Sequence, residues 1–165
     1  MQKRKAFSLI ELLVVVAIMG LLAGMAVVAL NQARQKARDA RRVADVKQIQ
    51  TALELYFMDK YTYPEPIADT NRLLDGACLG GDSTFRAVGT CGSPTYMGLV
   101  PSNPSPKLEG ACTGGTGTGY TYAVVGGAAG SRNTYQLYWC VSQETGGVPA
   151  GKHVATPAGL VDGTF

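Results

Sequence analysis

The sequence contains few charged residues, and their absence is concentrated in one region. Charged side chains make up 16% of the 165 residues, against roughly 25% in an average soluble domain. No charged residue occurs between Leu12 and Ala33. Residues 1–6 carry the whole net charge of +3, since the rest has 12 basic and 12 acidic residues. This composition argues against a wholly cytosolic soluble enzyme and against a strongly basic nucleic-acid-binding protein.

Histidine is also scarce, which limits the chemistry available. His153 is the single histidine, so a histidine-based metal cluster is excluded and a Ser-His-Asp triad would depend on this residue alone. The segment GGVPAGKH (residues 146–153) resembles a P-loop, but His153 replaces the required Ser or Thr, and Pro157 prevents a following helix. We therefore predict no catalytic residue, no metal and no cofactor.

Residues 7–30 form a long apolar run. As a helix, 24 residues span about 36 Å, enough to cross a hydrocarbon core. The basic residues before the run favour a cytoplasmic N-terminus, so the chain after Leu30 would be exported. A cleaved signal peptide is disfavoured because the run is too long and lacks an A-x-A site. Glu11 also argues against a plain anchor, since a carboxylate in hydrocarbon is costly.

The stretch KAFSLIELLVVVAIMG (residues 5–20) closely resembles the N-terminus of type IV pilin-like proteins, the type IV pilins and the type II secretion pseudopilins. The resemblance implies that a prepilin peptidase cuts between Ala6 and Phe7 and methylates the new N-terminus at Phe7. It also implies an assembly role for Glu11, which would be the fifth mature residue.

Two positions depart from that family pattern. Ala6 stands where glycine usually precedes the cut, which could slow cleavage, and Val28 stands where many members have a helix-kinking proline. Gly20 matches a glycine common in the family. With Gly24 it forms a G-x-x-x-G pair, which either permits close helix packing in lipid or is a chance pair in a region rich in small residues.

Residues 31–63 continue the helix without glycine and predict one apolar stripe. The predicted stripe consists of Ala33, Ala37, Ala40, Val43, Val46, Ile49, Leu53 and Tyr56. The predicted opposite face carries a basic collar, defined as Arg34, Lys36, Arg38, Arg41, Arg42 and Lys47, together with Asp39 and Asp45. This collar could face acidic surfaces of other subunits or anionic lipid headgroups. Nucleic acid is a less favoured partner, because a fibre would bury the collar.

Residues 64–165, called the head below, are rich in turns. We predict a long connecting loop over residues 65–109, with a short helical piece near Asn71–Leu74. Aromatic and β-branched runs at residues 120–125 and 134–141 predict strands, with a shorter strand around residues 152–156 or 160–161. Tyr63–Pro64, which ends the helix, also resembles major pseudopilins. The expected fold class is therefore α+β, a long helical spine packed on a three- or four-stranded antiparallel sheet.

All four cysteines follow the apolar run and would be exported to an oxidising compartment. Four cysteines allow three connectivities. Joining nearest neighbours predicts Cys78–Cys91 and Cys112–Cys140. A zinc site would need closer spacings. Some major pseudopilins bind calcium in a late loop, but residues 142–152 contain only Glu144 as an acidic residue.

The sequence thus predicts a structural filament subunit and not an enzyme. Its segments are a leader (residues 1–6), a transmembrane or fibre-core helix (7–30), an amphipathic continuation (31–63) and the head. The family resemblance implies a homopolymer, membrane lipid before assembly, a prepilin peptidase, an inner-membrane platform and a cytoplasmic ATPase. Localisation would be the inner membrane first and then a periplasmic or extracellular filament. Pilus and secretion pseudopilus remain open, as do a non-polymerising membrane-anchored binding module and a DNA-receptor minor pilin.

Processing provides the first test. We expect the mature chain to begin at Phe7, to be methylated there and to have no net side-chain charge, because the leader carries all of the excess basic residues. Intact-mass measurement on native material checks this. A mature chain that begins after Leu30 would instead show ordinary signal-peptidase cleavage, with loss of the spine.

Overall fold

The computed structural model describes residues 7–66, 76–107, 112, 119–125 and 132–162. One helix, α1 (Leu9–Lys60), precedes seven strands. The strands are β1 (Ala77–Gly80), β2 (Phe85–Ala87), β3 (Thr95–Met97), β4 (Thr121–Val124), β5 (Tyr135–Val141), β6 (Gly151–Thr156) and β7 (Gly159–Asp162). The chain divides into two compact units, Met1–Gln35 and Lys36–Phe165. The predicted α+β class is confirmed.

Helix α1 is 52 residues long because nothing within it stops helix growth. It contains no proline, and its two glycines lie in the apolar half. It ends at Lys60, after which Tyr61 has a left-handed φ of 54° and its N–H donates to Phe57 O at 2.8 Å. A residue in this conformation commonly closes a helix, and Pro64 prevents any continuation.

The C-terminal sheet has four strands in the order β4-β5-β6-β7, all antiparallel. The two alternative positions predicted for the last strand are both occupied, by β6 and β7, which pair through a short turn. Alternation along β5 directs Tyr135, Leu137, Trp139 and Val141 into the core. The predicted antiparallel sheet of three or four strands is confirmed, and it has four.

The prediction of a long loop over residues 65–109 was wrong, because this region contains a second sheet. Its three short strands have the order β2-β1-β3 and are antiparallel. With only three or four residues each, they show too little alternation to be recognised. Two backbone segments approach each other closely here, since a side chain at Gly80 would collide with the backbone of Gly92. The predicted helical piece Asn71–Leu74 lies outside the described residues.

Both sheets and residues 46–56 of α1 share one core. The helix contributes Val46, Ile49, Ala52, Leu53 and Tyr56, all buried. The N-terminal part of the predicted stripe was wrong: Ala33, Ala37 and Ala40 are exposed. The stripe continues instead through Arg42 and Asp39, which share the helix face of Val46 and Ile49 and are buried with them.

Tyr63 and Pro64 connect the helix end to the sheet. The Tyr63 ring stacks on Phe57 with centroids 4.6 Å apart and meets Tyr135 edge-on at 4.8 Å. Its hydroxyl donates to Glu54 Oε1 at 3.0 Å, and the Tyr122 hydroxyl donates to Pro64 O at 2.8 Å. The tyrosine–proline pair therefore holds the turn after α1 against the core.

Two disulfides join the cysteines in the nearest-neighbour pairing. Cys78 in β1 is bonded to Cys91, with Cα atoms 6.1 Å apart, and Cys112 is bonded to Cys140 in β5, with Cα atoms 5.8 Å apart. The first bond closes 13 residues within the small sheet, whereas the second closes 28 and attaches a preceding segment to the central strand of the larger sheet.

The second disulfide should contribute more to stability. In the loop-entropy description its longer loop adds about 0.7 kcal/mol beyond the roughly 3 kcal/mol of a short loop. We expect Cys112→Ala/Cys140→Ala to lower the free energy of unfolding more than Cys78→Ala/Cys91→Ala. Urea unfolding, followed by the fluorescence of the single, buried Trp139, measures both. Equal losses, or recovery of a Cys91–Cys112 link by peptide mapping, would contradict the assignment.

Buried tyrosines should make the head sensitive to alkali. Burial raises the pKa of Tyr63, Tyr120, Tyr122 and Tyr135 above the ordinary value of about 10. Since the unfolded chain ionises first, the stabilisation is complete below about pH 10 and is lost as the pH rises further. We expect tyrosinate absorbance to rise together with loss of near-UV circular dichroism, and Tyr122→Phe to reduce the pH dependence. Titration of these tyrosines near pH 10 in a folded protein would contradict this.

Candidate functional site

The first candidate functional region is the start of α1. Ser8 precedes the helix, and its backbone N–H donates to Glu11 Oε2 at 2.9 Å, while Glu11 N–H donates to Ser8 O at 3.1 Å. The S-x-x-E spacing is that of a capping box, in which the third helical residue reaches back to the cap. Glu11 therefore has a local role that our sequence analysis missed, although the motif could have revealed it. The structure does not describe Ala6, so the predicted cut site lies half outside it.

The rest of the first unit is an apolar helical surface. Between Phe7 and Leu30, sixteen large apolar side chains are exposed. The apolar part has a mean hydropathy of 2.8 over 18 residues, and the helix is long enough to cross a membrane. Gly20 and Gly24 lie one turn apart with open space within 4 Å of each. Another helix could approach closely there, as the G-x-x-x-G spacing allows.

The predicted basic collar was partly wrong. Arg42, Asp39 and Asp45, which we expected on the solvent face, are 1%, 0% and 5% exposed. Arg34, Lys36, Arg41 and Lys47 are exposed, as predicted, and Arg38 is half-buried. Because both acidic residues of residues 34–47 are withdrawn from solvent, the charge that this part of the helix presents is entirely positive.

Arg42 is the centre of a buried polar network. A guanidinium has five N–H donors, and here five oxygen acceptors surround it. They are Asn103 Oδ1 at 2.9 Å from Nε, Asp39 Oδ1 at 2.6 Å and Ser142 Oγ at 3.1 Å from Nη1, and Pro104 O at 3.3 Å and Pro106 O at 2.9 Å from Nη2. One side chain of α1 thus binds two separate segments of the head, residues 103–106 and Ser142.

The carboxylate of Asp39 completes this network. It accepts from the backbone N–H groups of Ser142 at 3.0 Å and Gln143 at 2.9 Å, in addition to the ion pair with Arg42. A second buried acid, Asp45, accepts from the Tyr120 hydroxyl at 2.7 Å. Burial raises the pKa of the Asp45 carboxyl, and the bond from Tyr120 partly opposes this shift. Both acids therefore bind the head to the helix.

These polar groups hold the head against the helix. Among the residues that the structure describes, no three His, Cys, Asp or Glu side chains are grouped to bind a metal. His153 is buried in β6 beside Trp139, with Nε2 2.8 Å from Pro149 O. The P-loop-like residues 146–153 lead into strand β6, so no helix N-terminus is present to bind phosphate.

Comparison with known proteins agrees with the N-terminal motif. Residues 1–27 match the family model described as the prokaryotic N-terminal methylation motif. The chain is 38% identical over 104 residues to the type II secretion system core protein G of Vibrio cholerae, which covers 63% of this chain and 67% of that protein. It is 36% identical over 77 residues to the protein of that name from Escherichia coli K12. That match covers 47% of this chain and 53% of the Escherichia coli protein. No solved structure matches the chain significantly.

The long helix with an exposed apolar half, the methylation motif and the small antiparallel head define a type IV pilin-like protein. Within that class, the chain belongs to the family of type II secretion system core protein G, the major pseudopilins. The match spans about half the length of the Escherichia coli relative and two thirds of the Vibrio cholerae one.

Arg42 should be essential to the stability of the head. We expect Arg42→Met to lower the free energy of unfolding by about 3–5 kcal/mol, because it leaves the Asp39 charge buried and unpaired. The matched control is Arg41→Met, at the adjacent exposed position, for which we expect a change within about 0.5 kcal/mol. Urea unfolding followed by Trp139 fluorescence compares them, and equally small losses would contradict the role of the network. Asp39→Asn in the Arg42→Met background should recover part of the loss.

Proposed function

We propose that the chain is a structural subunit of the type II secretion filament, which polymerises through its N-terminal helix after removal of the leader. The observation that carries this proposal is the exposed apolar surface of residues 7–30, joined by one continuous helix to the folded head. The names of the relatives support the secretion filament in preference to a surface pilus.

The physical basis is an exchange of one apolar environment for another. Before assembly, lipid would surround residues 7–30, and in the filament the same side chains would pack against the helices of other copies. Because lipid and neighbouring helices are equally apolar, close packing and polar contacts must favour association. Gly20 and Gly24 allow close approach, since no side chain covers them.

Glu11 would supply the polar contact that sets the stagger of the subunits. Cleavage before Phe7 creates an α-amine one helical turn away, which can be cationic at neutral pH. In a low-dielectric fibre core, this amine of an incoming chain can pair with Glu11 of a chain already assembled. A lost partner would leave an unpaired charge there, costing several kcal/mol.

The alternatives make different demands on the chain. A membrane-anchored binding module that never polymerises needs the apolar span but not Glu11. A DNA-receptor subunit needs an accessible basic surface in the fibre. No enzymatic activity forms part of the proposal.

Glu11 variants test the proposal and separate it from helix capping. Glu11→Val should leave membrane insertion and head folding intact, because it only makes the span more apolar, and should reduce fibre yield by more than about tenfold. Glu11→Asp should give an intermediate yield. Fibres sheared from cells that lack the wild-type copy are quantified by electron microscopy and immunoblotting.

The matched control is Glu11→Gln. Its amide oxygen can still accept from the Ser8 N–H, whereas its charge is gone. If the charge pairs with the amine of another subunit, Glu11→Gln is as defective as Glu11→Val. Normal fibre yield from Glu11→Gln would show that capping is sufficient, and normal yield from Glu11→Val would refute any assembly role for this residue.

A further inference from the structure

The exposed positive charge that follows the apolar span points to a binding surface. Lys36 lies six residues after Leu30, between Arg34 and Arg41, and all three basic side chains are exposed. The two acidic residues that could offset them, Asp39 and Asp45, are turned into the core and bonded to Ser142, Gln143 and Tyr120. Folding of the head therefore leaves this part of the helix without exposed negative charge.

The acidic side chains that the structure describes would give a second copy of the chain little free negative charge to offer. Of the nine acidic residues after Lys47, the structure describes the side chains of five. Four of them already have partners: Glu54 binds Tyr63, Asp59 binds Lys60 and Tyr96, Glu65 binds Arg132, and Asp82 binds Arg86. Glu144 is the exposed acid that remains among those described.

An anionic bilayer surface supplies the required charge at the right place along the chain. The span ends at Leu30, so the next few turns of helix begin where lipid headgroups begin. A lysine or arginine near an anionic membrane surface gains about 1 kcal/mol, and the attraction falls off within a Debye length. Lys47 is 11 residues beyond Lys36, which is about 16 Å of helix and two Debye lengths at physiological salt.

We propose that Arg34 and Lys36 bind the phosphate groups of anionic phospholipids while the subunit is in the membrane, and that Arg41, about one Debye length further along the helix, adds to the attraction. The headgroups fix the depth of the helix at the point where the head begins, and assembly has to release them. This inference requires membrane anchoring but not polymerisation, so it can fail or hold independently of the filament proposal.

Lys36 and Lys47 form a matched pair of reporters. Both are exposed, and a separation of 11 residues places them on nearly the same helix face. The full chain is placed in nanodiscs of phosphatidylcholine, with or without about one quarter phosphatidylglycerol, and acetylated with a neutral N-hydroxysuccinimide ester. Mass spectrometry then gives the rate at each lysine, since an ammonium group held by phosphate does not react.

We expect anionic nanodiscs to slow acetylation of Lys36 relative to Lys47 by about fivefold. This factor corresponds to the attraction of about 1 kcal/mol between one lysine and an anionic membrane surface. Salt at about 0.5 M should remove most of the difference. Arg34→Gln/Arg41→Gln should reduce the protection, whereas the control Lys60→Gln/Arg86→Gln, which lowers the net charge equally, should preserve it. The fluorescence of Trp139 confirms that each variant is folded.

Three results would overturn the proposal. Equal Lys36 to Lys47 ratios in the two kinds of nanodisc would show that headgroup charge is not recognised. Protection that increases with protein concentration, and not with phosphatidylglycerol, would assign the surface to a second copy of the chain. Protection of both lysines by duplex DNA, without any effect of anionic lipid, would assign it to nucleic acid.

Discussion

Sixteen large apolar side chains exposed along residues 7–30 cannot remain in water. Burying each contributes about 1.5–3 kcal/mol, so the helix gains on the order of tens of kcal/mol by entering an apolar environment. The rest of the protein is consistent with this constraint. Residues 7–30 therefore require lipid or other chains around them. Residues from Val46 to Tyr56 of the same helix, by contrast, are already buried in the head. One element can thus serve both a folded unit and an apolar association surface.

The first buried residues of α1, Asp39 and Arg42, are polar. Where the apolar stripe of the second unit ends, Arg42 and Asp39 replace hydrophobic residues and bind residues 103–106, Ser142 and Gln143. A buried ion pair contributes little net stability compared with apolar packing, but it is costly to break and demands one geometry. The network therefore specifies how the loops of the head attach to the helix. Apolar contacts alone are not directional and would permit several arrangements.

Strong periodic signals in the sequence were sufficient for the helix and the larger sheet. The absence of proline before Pro64 predicted the helix, and the aromatic and β-branched residues of β4 and β5 predicted the hairpin. The three short strands around Cys78 could not be predicted, because strands of three or four residues carry almost no pattern. Arg42 and Asp39 were misplaced for a different reason. Helix spacing places them on the face of Val46 and Ile49, but their charge suggested exposure. Their hydrogen-bond partners in the head lie more than 60 residues away along the chain. The capping box at Ser8 and Glu11 could have been predicted from its S-x-x-E spacing.

The most direct test of the central claim is cryo-electron microscopy of filaments formed by the full chain in cells with its peptidase and assembly platform. The account predicts chains that begin at Phe7, with residues 7–30 of each subunit buried against the same residues of other copies and the heads outside. Filaments whose subunits contact one another only through their heads would contradict it. So would the absence of filaments from cells in which the chain stays in the membrane with Met1 intact.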